Sequence, residues 1–182
     1  MLVVLTACSG SVSVPVSEST ASPSATPSAT LDPEVAKALD AYEAYMRTSN
    51  AALESPVSKG QPWPSGADFT RWAYDPAQAE TSVYVHALAA YKAEYRGKPP
   101  VSNNTVDEVD LDASPYPSVK LTDCQVPQGL YVPYSRETDE QLPLEGDVNL
   151  DDPYPVSVEL ISVKGKWGVK SAEADREKSC KP

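Results

Sequence analysis

The chain has 182 residues, a formal net charge of −11, eighteen prolines, three cysteines and a single phenylalanine. An acidic surface repels phosphate backbones, so nucleic acid is excluded as a partner. It also excludes electrostatic docking on anionic lipid, so any membrane attachment must come from a covalent or apolar anchor.

The first eight residues lean apolar and end in Leu5-Thr6-Ala7-Cys8. Leu, two small residues and Cys is the pattern of a bacterial lipobox. Small residues fit the backbone into the signal-peptidase cleft, and the apolar segment holds it in the membrane. The sulfur of Cys8 would then carry the lipid, with two or more acyl chains (palmitate, for example) because one gives only marginal anchoring. Residues 1–8 form a truncated leader, since no Lys or Arg precedes Cys8. Residues 9–31 hold Ser, Thr, Pro and Ala with one charge and no aromatic residue. Such a stretch buries too little apolar area to offset its ordering entropy, and is predicted to be a disordered tether. The folded α+β domain is expected over residues 32–182.

Asp32-Pro33-Glu34 is a helix start: a capping carboxylate, proline at the first position, an acid at the positive end. Val35, Leu39, Tyr42 and Met46, with Ala38 and Tyr45, form one apolar stripe, and the helix is predicted to reach about Leu53. A short helix over Gly66 to Tyr74 would carry Phe69, Trp72 and Ala73 inward. Asp75-Pro76 opens a second helix, predicted to run to Tyr95 with Tyr84, Leu88, Tyr91 and Tyr95 as its inward stripe, stopped by Gly97.

Beyond residue 100 the period changes to two. Strands are predicted over Val106 to Leu111, Ser118 to Cys124, Gly129 to Tyr134 and Val156 to Val163. A tight turn at Lys164-Gly165-Lys166 leads to a return strand from Trp167. Helices first and an antiparallel meander of four to five strands afterwards predict an α+β fold, the helices covering one face of a curved sheet.

Several pieces then read together: "LTAC", the Ser/Thr/Pro tether, "ALDAYEAYM", "FTRWAY", "YRGKPP", "VKLTDCQ", "GKWGVKS" and the late "EKSC". Their order resembles that of actinobacterial lipoproteins carrying a nuclear transport factor 2-like (SnoaL-like) domain. The chain departs from that pattern in its short leader and in an acidic insert around residues 137–152. The resemblance implies a cone-shaped α+β domain. It leaves function open, because that superfamily holds isomerases, dehydratases and cyclases as well as non-catalytic binding modules.

With Cys8 lipidated, Cys124 and Cys180 remain as an even pair, as expected outside the cytosol, and a disulfide is the favoured reading. A metal site would be the sharper use of two cysteines, but no neighbouring His or third thiol supports it. His86, the only histidine, lies about 160–200° around the second helix from its tyrosine stripe and is expected in solvent. Tyr42, Tyr45, Tyr84, Tyr91 and Tyr95 are candidates to line a cavity, joined by an acid such as Asp68 or Asp107. The alternative is that tyrosines fill a core that has one Phe. The acids at 107–112 and 139–152 lack calcium-loop spacing, and there is no Gly-rich phosphate loop, so neither metal nor cofactor is expected.

The leading expectation is a lipid-anchored, non-catalytic binding protein at the outer face of the cytoplasmic membrane. Its partner would be an envelope protein or a small apolar ligand. A secreted isomerase- or dehydratase-like enzyme using Tyr and Asp is the alternative, and a homodimer formed through an open sheet face is a third reading.

Overall fold

A computed structural model describes residues 31–144 and 150–182. The lipobox with Cys8, the tether through Thr30, and Glu145 and Asp147 of the acidic insert lie outside the described residues.

Helix α1 spans Pro33–Glu54 and begins as the sequence dictates. The Asp32 carboxylate accepts the Glu34 amide at 2.7 Å, and Pro33 takes the first helical position. Val35, Ala38, Ala41, Tyr42, Tyr45 and Ala52 form its buried face, while Leu39 and Met46 sit at the core's edge. Alanine at 38, 41, 44 and 52 brings the helix axis close to the sheet. The indole Nε1 of Trp167 donates to Glu34 at 3.0 Å, tying the helix start to the last strand.

Between Gly66 and Tyr74 the helical segment is a single 3-10 turn, Phe69–Arg71. Phe69 and Ala73 are buried, but Trp72 is only half-buried. Helix α2 spans Ala77–Ala90, ending well short of Tyr95. The Tyr91 amide closes the last turn on the Ala87 carbonyl at 2.9 Å, and Lys92, at φ +51°, reverses the chain. The inward face of α2 is Ala77, Val85 and Leu88. Tyr84 is 46% exposed and Tyr91 80%, so the tyrosine stripe is not the buried one. Both stripes share Leu88; a phenol is stable at the surface with its hydroxyl in water, and aliphatic Val85 is not.

Past this reversal the chain is strand, not helix. Strand β1 (Ala93–Gly97) pairs antiparallel with β4 (Tyr131–Ser135) in a two-stranded sheet. Gly97 is required there: at φ +109°, its Cβ would lie 1.8 Å from the Leu130 carbonyl oxygen. The remaining strands are β2 (Asn104–Asp110), β3 (Ser118–Gln125), β5 (Tyr154–Val163) and β6 (Lys166–Ala174). They form a four-stranded antiparallel sheet in the order β2-β3-β5-β6, with a register shift in β2 between Val106 and Glu108. One expected meander is thus two sheets, because β4 leaves to pair with β1 and β3 pairs directly with β5. The β5–β6 hairpin turns through Lys164 (φ +54°) and Gly165 (φ +77°), as a two-residue turn matching strand twist requires.

The fold is α+β, with helices packed on antiparallel sheets. Val119, Leu121, Val158, Leu160, Trp167 and Val169 meet Tyr42, Tyr45, Phe69 and Val85 in one core.

Candidate functional site

At one end of the sheet the core opens into a cavity of about 340 Å³. Helix α1 contributes Met46, Asn50 and Leu53 to its wall, and β1 contributes Tyr95. Gln125 ends β3 there, Tyr131 and Val132 come from β4, Tyr154 opens β5, and Arg176 follows β6. Most of these sit at a strand end or past the middle of α1, where the layers splay and side chains stop meeting.

Three tyrosines organise the wall. The Tyr95 and Tyr131 rings lie 5.0 Å apart at 52°, and the Tyr95 hydroxyl is 2.7 Å from that of Tyr84. Tyr131 donates to the Asn50 carbonyl at 3.4 Å. Across from them Tyr154 carries the Arg176 guanidinium 3.9 Å above its ring, and its hydroxyl accepts from Arg176 Nη2 at 3.0 Å. Burial pushes the phenols of Tyr95, Tyr131 and Tyr154 above the usual range, with Arg176 pulling Tyr154 partly back. They are neutral hydrogen-bonding groups at physiological pH, not bases.

Arg176 is held in place by the chain's end. After β6 the backbone continues past the start of β5, the Asp175 amide donating to the Pro155 carbonyl at 2.9 Å and the Cys180 amide to Pro153 at 3.2 Å. A disulfide joins Cys124 to Cys180, with Cα atoms 5.8 Å apart.

Behind the cavity lies a buried polar cluster centred on Asp123, which is 0% exposed. Its Oδ2 accepts the Tyr42 hydroxyl at 2.7 Å and the Gln125 side-chain amide, and its Oδ1 accepts the Asn103 amide at 2.8 Å. Burial first, and then the neighbouring carboxylate, raise the Tyr42 phenol far above its ordinary value, so it stays a donor. A carboxylate holding three donors with no exposure is a structural anchor. A proton-transfer base needs a free lone pair facing substrate.

Of the five tyrosines expected in a cavity, Tyr95 lines it, reached from a strand. Tyr42 is buried behind it on Asp123, and Tyr45 is bonded to Thr81 at 2.8 Å. Tyr84 touches Tyr95 from outside, and Tyr91 stands in solvent. Neither Asp68 nor Asp107 joins them: Asp68 pairs with Arg71 at 3.5 Å, and Asp107 accepts from Thr122 at 2.8 Å on exposed β2. The acid beside a tyrosine is Asp123, and strand parity points to it, since Val119, Leu121 and Asp123 share one face. His86 is half-buried rather than in solvent. Its ring stacks on Trp63 at 5.4 Å, and Nδ1 lies 2.8 Å from the Val57 carbonyl.

Among the described residues no group of three His, Cys, Asp or Glu could hold a metal ion, and no helix is long and apolar enough to cross a membrane. No family model matches the chain, and no curated protein matches it. Among solved structures it is similar to the intermembrane space region of the chloroplast protein ARC6, at 12% identity and a TM-score of 0.49, over 80% of this chain and 97% of that one.

Proposed function

We propose that this chain is a bacterial lipoprotein, anchored through Cys8 at the outer face of the cytoplasmic membrane, whose domain binds a small apolar ligand without transforming it. The cavity carries this reading: about 340 Å³, mostly apolar and tyrosine-walled, lies within the 300–1,000 Å³ range of small-molecule sites. The disulfide supports an oxidising compartment, and the lipobox and tether of the sequence support display from a membrane. We read the domain as a variant of the nuclear transport factor 2-like cone, with α1 lying on the sheet and the cavity at the open end. The enzymatic alternative would place Tyr42 and Asp123 as an acid–base pair, but both are sealed behind the cavity wall with their hydrogen bonds already made.

The test is to express the gene with its upstream DNA in an actinobacterial host and measure native and denatured masses of the membrane-extracted protein. A chain starting at Cys8 with added acyl mass, carrying a non-covalent adduct that is lost in Leu53→Trp, is the expected result. An unmodified chain starting at Met1 overturns the anchor. Absence of any adduct, together with no binding of added apolar compounds, overturns the ligand site.

A further inference from the structure

Resting on the reading of the cavity as a ligand site, we infer that its ligand is a monoanionic carboxylate on an apolar body, with the carboxylate held by Arg176. The chain carries a net charge of −11, yet among the described residues lining the cavity the one charged side chain is a cation. That cation, though exposed, is anchored on the cavity wall. Its face stacks on Tyr154, one N–H is spent on the Tyr154 hydroxyl, and Cys180, four residues on, is bonded into β3.

A guanidinium has five N–H donors in a planar fork, so donors remain after the Tyr154 bond, and a carboxylate matches that fork two-pronged. The stacked, hydrogen-bonded side chain has already lost much of its rotamer freedom, which lowers the cost of ordering it on binding. The buried carboxylate of Asp123 faces its own three donors, while Asp152 and Glu177 line, with Arg176 and Tyr154, a second and more polar pocket rather than the apolar cavity. Met46, Leu53, Val132 and Pro127 offer an apolar floor for the rest of the ligand.

Size narrows the class. A cavity of about 150 Å³ holds benzene, so one of about 340 Å³ holds roughly a dozen non-hydrogen atoms. A medium-chain fatty acid or an arylalkanoate has that size, and a membrane phospholipid does not.

Calorimetric titration of the folded, oxidised full chain with decanoate and with decan-1-ol tests the inference. Decanoate should bind about tenfold more tightly than the alcohol, the scale of one charge-assisted pair at a half-open site. Arg176→Gln should erase that preference while leaving decanol affinity unchanged, and Arg176→Lys should restore part of it. Equal binding of the two ligands, or a decanoate preference that survives Arg176→Gln, overturns the carboxylate and leaves the cavity as an apolar site. Failure of both ligands to bind overturns the cavity as a ligand site as well.

Discussion

Along β3, Val119 and Leu121 face the helices in a dry apolar layer, whereas Asp123 and Gln125, next on the same face, are buried and polar. Strand β5 runs the other way and repeats the change, from Leu160 and Val158 to Tyr154. The same two strands therefore build two different interiors. One end is an apolar layer with a single directed bond at its edge, from the Trp167 indole to Glu34; the other is held by several directed bonds and a covalent link, around a space left open. Apolar packing tolerates no gap, because a void forfeits contacts outright. The rim of the tyrosine-walled cavity is fixed by something other than packing, namely the Asp123 cluster and the disulfide.

The comparison breaks or sharpens under substitution. Cys180→Ser has the largest expected effect. The bridge closes a 56-residue separation, worth about 4 kcal/mol in the chain-entropy model. Denaturant midpoints should fall accordingly, and amide exchange should quicken from Asp175 onward while the β5–β6 turn is unaffected. Equal quickening at both ends would erase the distinction. At the dry end, Leu160→Ala should cost about 3 kcal/mol through its lost burial and the cavity left behind. Tyr42→Phe, at the polar end, should cost about 2 kcal/mol by leaving Asp123 short of a donor. A neutral result from urea titration of Tyr42→Phe would mean that this cluster does not hold the open end.

Much of the dry end is legible in the sequence. Asp32-Pro33 marks the start of α1, helical spacing picks out the buried Val35, Ala38, Tyr42 and Tyr45, alternation marks β3 and β5, and the tight turn at Lys164-Gly165 marks β6 as the return strand. The open end is less so. Strand β1 reads as helix because the reversal falls on Lys92, a left-handed residue with no sequence signature, while the visible stops, Gly97 and Pro99, lie farther on. The pairing of β1 with β4 joins segments far apart in sequence, and no local pattern encodes it. Tyrosine misleads the reading of α2, since its ring counts as apolar and its hydroxyl makes it a surface residue. Asp123 is readable from alternation alone: an acid two positions from Leu121 on a strand faces inward.

Strand β2 ends the four-stranded sheet with one side unpaired among the described residues, and five of its seven residues are exposed. An open edge is a template on which another chain can add and from which aggregates grow. Asp107, Glu108 and Asp110 crowd this strand with carboxylates, and the shift between Val106 and Glu108 bends it out of straight register. A second copy approaching edge to edge would bring like charges together over the Asp107–Asp110 half of the strand. The acidity of this strand is thereby a barrier to fibril growth.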